Sequence, residues 1–331
     1  MKRIIFTVWV SIFAITAIAN DESNLKEFKR EVTKEFSVGA NPTLKIDNKY
    51  GFIRIVEGTE NKITFKIEII GKATTEARAK EYAETVSVDF SQNGDRISAT
   101  TVLKSLNCNN CGRNTNYTVV VPKSVMMTLD NKYGNIYLEN AAKPLNVDLK
   151  YGNLEANTLN NIKIDIKYGN VTINACEDIN IDCAYSKIRI GKANQMIIES
   201  KYDEFQIGTI SDLKMNTKYT TVKIDKLEKS FVCNDFKYCS LDIDEIATQF
   251  SQIKISAGYS NIKLALDNRH SFKVNLSTRY GNIKADHLTF NNVSLGDRAR
   301  NTHSINGTAG SNGNPSATVD ISNSYGDIIF K

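Results

Sequence analysis

The chain has 331 residues, with 42 Lys and Arg against 37 Asp and Glu, so its formal charge is only +5. A nucleic-acid binder concentrates basic charge, whereas here acid and base alternate along most of the chain, which excludes a strongly basic interface. The single Trp is Trp9, close to the N-terminus, and its position argues against a Trp-lined sugar-stacking cleft.

In chain order, Lys2 and Arg3 precede an almost wholly apolar run at positions 4–18, and Ala17-Ile18-Ala19 fits a small-x-small cleavage site. This predicts a signal peptide over 1–19. A membrane anchor is the alternative, but the run is short for a bilayer span and no stop-transfer pattern follows. No Cys follows the cleavage site, so a lipid anchor is not expected. The mature chain is then about 312 residues (331 minus 19), and loss of Lys2 and Arg3 takes the charge from +5 to +3. The expected location is the periplasm, the outer cell surface or the exterior.

After a lead segment at 20–43, the region 44–125 holds a first repeat around Tyr50 and then a different unit. Ile63 to Ile69 alternates as a strand. Thr74 or Thr75 can cap a helix running to about Thr85, with Ala79, Tyr82, Ala83 and Val86 on one face. Val86 to Phe90, Asn93-Gly94 and the run from Ile97 read as a hairpin. Tyr117 to Val121 is another strand, closed by Pro122. These form an expected α+β capping unit, with the Tyr50 repeat docking beside Tyr133.

Region 126–331 is repetitive. Its anchoring tyrosines are Tyr133, Tyr151, Tyr168, Tyr185, Tyr202, Tyr219, Tyr238, Tyr259, Tyr280 and Tyr325, and from Tyr133 to Tyr280 the spacings are 18, 17, 17, 17, 17, 19, 21 and 21. With Tyr50 there are eleven, and Gly follows the Tyr in six of them, as in Lys167-Tyr168-Gly169-Asn170. Before Tyr168, Ile162, Ile164 and Ile166 alternate with Lys163, Asp165 and Lys167, the pattern of a half-buried strand with Tyr168 on its inward side. After it the apolar residues are Val171 and Ile173, at odd offsets, so the parity flips. A corner at Gly169-Asn170 accounts for the flip, because Gly and Asn tolerate φ > 0 best.

Offsets three and five are apolar in every repeat, and a third inward position recurs at offset eight: Leu159, Cys176, Ala193, Ile210, Leu227 and Ile246. Three parity flips per 17 residues imply three corners. One such coil cannot bury its apolar face, but stacked coils about 4.8 Å apart pair strand on strand and share a core. The fold class predicted is all-β, a parallel β-solenoid of about ten short three-cornered coils preceded by the α+β unit. The tyrosines are expected to stack as a structural ladder. An antiparallel sandwich would not explain the near-constant period. The stretch 286–317, rich in Asn, Gly and Ser, breaks the period and is expected to be an elaborated loop.

Lys or Arg precedes the Tyr by one residue in eight repeats, and Asp or Glu precedes it by three in seven. Stacking places each set in an outward column. Asp148, Lys150, Asp165, Lys167, Glu199 and Lys201 define a candidate charged face that is either a self-neutralised solvated surface or a binding face for an ionic polymer or a mineral cation. Cys108-x-x-Cys111 in a polar loop of an exported chain favours a local disulfide. Cys176 and Cys183 fall on inward positions, as small core residues or as a bridge. The spacing leaves the pairing of Cys233 and Cys239 open. His270, His287 and His303 lie outside the regular repeats and lack metal-ligand spacing, and no catalytic motif is present. Neither a catalytic residue, a metal site nor a cofactor is expected. A β-helix enzyme acting on polysaccharide would need clustered carboxylates, and its best location is the irregular loop around Asp297, Arg298 and His303.

Leu44-Lys45-Ile46-Asp47-Asn48-Lys49-Tyr50-Gly51, the helix-plus-hairpin unit, Val119-Val120-Val121-Pro122 and the Tyr-Gly-Asn/Asp coils ending in Ser324-Tyr325-Gly326-Asp327-Ile328 together resemble the bacterial putative-adhesin domain family of unknown function, common in Bacteroidota envelope proteins. The resemblance implies a β-solenoid at the cell envelope and a role in adhesion, and brings no catalytic residue. The expected function is a non-enzymatic envelope scaffold or adhesin-like protein, monomeric, that meets an envelope polymer, surface glycan or protein through its faces. Polysaccharide processing and cation binding are the alternatives.

Overall fold

The computed structural model describes residues 25–108, 110–295 and 301–331. The signal peptide expected at 1–19 lies outside them. The chain divides into two compact units, Met1–Asn157 and Thr158–Lys331.

In the first unit, Thr43–Lys49, Met126–Lys132 and Leu145–Lys150 stack in parallel and in register, Lys49 on Lys132 and Lys132 on Lys150. Beside them Ile53–Gly58 pairs in parallel with Ile136–Ala141. The Tyr50 coil thus lies against the Tyr133 coil although 83 residues separate them in sequence. The intervening segment covers the free edge of both sides of the stack. Arg96–Leu103 adds in parallel to Thr43–Lys49, and Val86–Asn93 turns back antiparallel on it through Gly94 at φ +58°. Gly112–Pro122 adds to Ile53–Gly58, then Lys62–Ala73 and Lys26–Ser37 follow in antiparallel order. The helix Glu76–Glu84 starts at Thr75, whose Oγ1 accepts the Arg78 N–H at 3.3 Å, and it buries Ala79 and Ala83. It lies so close on the strand that a β-carbon at Gly71 would collide with the Ala79 carbonyl oxygen. Small residues on both surfaces permit that approach.

The second unit is a stack of coils in register, Asn170 on Lys187 on Glu204 on Thr221. Between the Tyr168 and Tyr185 coils the paired runs are 170–173, 175–176 and 178–184, interrupted at Asn174 and Glu177. Those two interruptions and the Tyr form three corners, so the coil is three-cornered, with its long side ending at the Tyr. Offsets three, five and eight are buried from coil to coil, as at Ile188, Ile190 and Ala193. Each buried Ile, Val or Leu touches its equivalent above and below, and full burial of such a side chain contributes about 1.5–3 kcal/mol.

Two expectations about the Tyr corner are overturned. The tyrosines point outward rather than inward, with 40–51 % of the surface of Tyr133 through Tyr325 exposed. The left-handed residue is the Tyr itself, at φ from +53° to +64° in all eleven coils, rather than the Gly after it. Strand alternation assumes extended backbone, and a left-handed residue breaks it, so the Tyr leaves the inward row and the next residue enters it. That inward residue is Ser186, Asp203, Thr220, Cys239 or Ser260 in five successive coils, all buried. In the other coils it is Gly, because the stacked main chains come too close for a side chain. A β-carbon at Gly134 would strike the Gly51 carbonyl, and one at Gly326 would strike that of Ser260.

The corners satisfy their backbone groups in two ways. Where the residue has a side chain, that side chain accepts the N–H of the equivalent residue one coil earlier. Ser186 N–H donates to Asp203 Oδ1 at 2.7 Å, Asp203 N–H to Thr220 Oγ1 at 3.3 Å, and Cys239 N–H to Ser260 Oγ at 3.0 Å. At three corners a polar residue two before the Tyr of a neighbouring coil donates to the carbonyl: Asn131 Nδ2 to Gly51 at 3.0 Å, Thr278 Oγ1 to Gly326 at 3.0 Å and Asn323 Nδ2 to Ser260 at 2.8 Å. Either device removes a buried unpaired polar group that would cost about 1–3 kcal/mol.

The C-terminal end departs from chain order. Ala317–Ser324 inserts between Gln252–Gly258 and Phe272–Arg279, parallel to both, and Tyr325 stacks between Tyr259 and Tyr280. The region expected as a loop at 286–317 contains a hairpin, Phe290–Leu295 with Thr302–Ala309, and Thr302–Ala309 runs antiparallel along Phe272–Arg279. An antiparallel strand cannot be extended by another coil of the repeat, so it stops the ladder at an otherwise exposed edge.

Two measurements test this corner. Tyr219→Ala removes two ring contacts and is expected to destabilise by about 1–3 kcal/mol. Tyr219→Gly also relieves the left-handed strain, so its denaturation midpoint is expected to lie above that of Tyr219→Ala, by about 1 kcal/mol of stability. Equal midpoints would contradict the strained-Tyr account. The second measurement concerns Asp203, whose carboxyl is pushed above its ordinary value of 3.8 chiefly by burial, against the hydrogen bonds from Ser186, Cys183 and Lys201. The folded state therefore holds this proton more tightly than the unfolded state, and the group's contribution to stability falls as pH rises from about 4 upward through the raised value. Asp203→Ser keeps an acceptor for Ser186 and lacks the titration. The stability of wild type minus Asp203→Ser is expected to decrease over that window in urea titrations, and a flat difference would refute it.

Candidate functional site

The most regular surface of the second unit is its Tyr column. From Tyr168 to Tyr259 successive rings stack at 4.7–4.9 Å with interplanar angles of 4–12°. The order then runs Tyr259–Tyr325 at 4.6 Å and Tyr325–Tyr280 at 4.8 Å. In the first unit Tyr50, Tyr133 and Tyr151 stack at 5.2 and 5.1 Å. The left-handed corner sets the ring outward, and the in-register ladder sets the spacing. A ring covered on both faces by its neighbours exposes its edge and hydroxyl.

Alongside this column runs an open groove of about 750 Å³. One wall is formed by Tyr168, Tyr185, Tyr202 and Tyr219, the floor by the corner residues Gly169, Ser186 and Asp203, and the other wall by Asn170, Lys187, Glu204 and Thr221. Lys187 and Glu204 stack in register and form an ion pair at 2.8 Å, so the charges on that wall offset each other. The equivalent position in five of the six Tyr-Gly coils carries Asn or Asp, with Phe52 in the sixth; Asn135 and Asp327 are locked to a neighbouring main chain, Asn153 N–H donating to Asn135 Oδ1 at 2.9 Å and Asn282 N–H to Asp327 Oδ1 at 2.9 Å. The groove lies where Ser186 and Asp203 replace Gly and where Lys187, Glu204 and Thr221 replace those Asn side chains. This feature was missed in the sequence because the departures from Tyr-Gly-Asn read only as variation in corner shape.

The six residues of the expected charged face lie on outward positions. Asp148 pairs with Lys150 at 3.2 Å and Asp165 with Lys167 at 3.7 Å. Glu199 accepts from Asn216 Nδ2 at 2.7 Å, and the Lys201 ammonium sits 5.2 Å from the Tyr202 ring. Lys218 and Lys237 both reach Asp235, whose carboxyl is held below its ordinary value first by the Lys237 hydrogen bond. Lys49, Lys132 and Arg279 lie over their own following Tyr rings at 5.1–5.2 Å. The cations are thus shared between the acid column and the ring column. Exposed pairs of this kind contribute about 0–1 kcal/mol each.

Cys108 and Cys111 are joined by a disulfide. Cys176, Cys183, Cys233 and Cys239 are free and buried. Burial pushes the Cys176 and Cys233 thiols up to about 12, which makes them poor nucleophiles. His270 is buried, with Nε2–H donating to the Ile246 carbonyl at 2.9 Å and Nδ1 accepting the Asp267 N–H at 3.2 Å. His287 Nε2–H donates to the Leu266 carbonyl at 2.9 Å. Both histidines tie down turns. His303 lies in Thr302–Ala309 opposite Thr278, while Asp297 and Arg298 lie outside the described residues. Among the described residues no group of three or more His, Cys, Asp or Glu is placed to hold a metal ion, and no helix is long and apolar enough to cross a membrane.

Comparison with known proteins agrees with this architecture at the level of family. No curated protein matches the chain. Among solved structures, a putative adhesin from Parabacteroides distasonis is 10 % identical, with a TM-score of 0.45, over 70 % of this chain and 93 % of its own. A putative adhesin from Bacteroides fragilis is 12 % identical with a TM-score of 0.38, over 70 % of this chain and 95 % of its own. A protein from Parabacteroides distasonis named as a putative lipid binding protein is 10 % identical with a TM-score of 0.39, over 67 % and 92 %. The family model named Toastrack DUF4097 matches residues 42–330. The chain therefore belongs to the Toastrack DUF4097 family.

Proposed function

We propose that this protein is a non-catalytic binding scaffold, exported to the cell envelope, that holds an extended envelope polymer along the groove beside its Tyr column. The observation that carries this reading is the groove's periodicity. Its walls present one Tyr edge and one polar side chain per coil at a step of 4.7–4.9 Å. A surface with translational repeat suits a ligand with translational repeat, since each added unit meets the same contacts. A compact substrate would instead be held by convergent, non-equivalent groups in a closed pocket.

The disposition of acids supports a binding role over hydrolysis. Glycoside hydrolysis needs two carboxyl groups facing each other across a bond, one of them kept protonated. Here the acids of the outer column face the same way and are drawn toward lysines, and Asp203 on the groove floor accepts two backbone N–H groups, from Ser186 and from Lys201, both at 2.7 Å. Its oxygens are committed to the fold.

The test uses the purified mature chain with intact envelopes and with isolated envelope polysaccharides. Retention of polymer without release of soluble fragments is expected, and fragment release would overturn the non-catalytic reading. Thr221 is exposed on the groove wall, so Thr221→Arg places a bulky cation in the groove without touching the core. Retention is expected to fall at least about tenfold in this variant, which corresponds to about 1.4 kcal/mol. Unchanged retention would locate binding elsewhere.

A further inference from the structure

The same groove specifies the chemistry of its occupant, and this inference rests on the binding role proposed above. We propose that the groove takes an uncharged linear polysaccharide in extended form, lying parallel to the stack, one sugar per coil, and held by Tyr edges and hydroxyls rather than by ring faces.

Charge supports an uncharged ligand. Lys187 and Glu204, the only charged side chains on the wall facing the Tyr column, are paired with each other at 2.8 Å. On the far side of the column Lys167 is paired with Asp165, Lys218 with Asp235, the position before Tyr185 is Ala184, and the single Lys201 lies over the Tyr202 ring at 5.2 Å. A polyanion would find no unopposed row of cations, and a polycation no row of anions.

Spacing supports a sugar chain over a peptide. An extended peptide advances about 3.2–3.4 Å per residue, which drifts out of phase with rings 4.7–4.9 Å apart within two coils. A pyranose linked through opposite ends advances a glycan by a length close to the ring step. Its hydroxyls then recur in phase with the Tyr edges on one wall and with Asn170, Lys187, Glu204 and Thr221 on the other.

Ring geometry defines the contact mode. Tyr185 and Tyr202 each have a neighbouring ring on both faces, at 4.7–4.9 Å, so no face is open for a sugar to stack on. What each ring offers is its exposed edge and its hydroxyl, a donor and acceptor that matches a sugar hydroxyl. A contact through the hydroxyl, unlike one through a ring face, is lost when Phe replaces Tyr.

The experiment is calorimetric titration of the mature protein with cello-, xylo-, chito- and laminari-oligosaccharides of two to six units, with alginate oligomers as the anionic counterpart. Binding by at least one neutral series is expected, tightening with each unit up to about four, the number of Tyr rings lining the groove, and levelling thereafter. Tyr185→Phe and Tyr202→Phe keep the ring stack and the fold, which circular dichroism and melting temperature check. Each is expected to weaken binding roughly 3- to 10-fold through loss of one hydroxyl contact. Affinity that ignores ligand length, that survives both Phe substitutions, or that belongs to alginate and collapses with salt would overturn the inference. So would failure of every neutral series to bind. If in that case envelope retention still depends on Thr221, the scaffold role stands and only the ligand class is wrong.

Discussion

The constraint on which everything else depends is the in-register parallel ladder. A coil of this size cannot enclose a core, so its apolar residues are buried only by the equivalent residues of the coils on either side. Once Lys49, Lys132 and Lys150 in one unit, or Asn170, Lys187 and Glu204 in the other, are hydrogen-bonded in register, every position of the coil becomes a column. Each column must then be tolerable as a stack of like residues. Apolar columns are favourable without qualification. A column of Lys is tolerated because an Asp column runs two residues away, and a column of Tyr because its rings lie face to face.

The Tyr corner shows how one position reconciles opposing demands. The chain has to turn sharply and keep its stack, and a left-handed residue does both. Gly would take that conformation without strain but would contribute no contact. Tyr accepts the strain and regains it through two ring contacts. Its N–H also continues the ladder, as where Tyr202 donates to the Lys218 carbonyl at 3.0 Å. The residue after it is then pressed inward against its neighbours. It can be Gly, with no side chain to crowd the neighbouring main chain, or a short polar residue that accepts from the preceding coil. The mixture of Gly, Ser, Asp, Thr and Cys at that position therefore reflects two ways of fitting one crowded inward place.

The same alternation shapes the surface. After Gly134 and Gly326, Asn135 and Asp327 accept main-chain N–H groups from a neighbouring coil. Where Ser186 and Asp203 satisfy the main chain from inside, the following position is released and carries Lys187 and Glu204. Beside Tyr185 and Tyr202 the buried hydrogen bonds are made by the corner side chains, and the outer wall carries the Lys187–Glu204 pair.

The repeat length, the three corners, the inward positions at offsets three, five and eight and the outward charge columns were legible in the sequence, because each follows from alternation along extended backbone and from repetition. So was the docking of the Tyr50 repeat beside Tyr133, since a stack needs a partner for every coil. The outward turn of the tyrosines was not legible, because parity counting presumes extended residues and one left-handed residue resets it. Nor was the insertion of Tyr325 between Tyr259 and Tyr280, since chain order does not determine stacking order once an antiparallel hairpin intervenes. The groove belongs to the same class: Lys187 and Glu204 are neighbours only through the 17-residue register, and their place opposite the Tyr edges follows from a backbone angle. Sequence periodicity determined which residues form columns; only the tertiary structure decided which way each column faces, because that rests on the hand of one residue per turn and on which edges remain open.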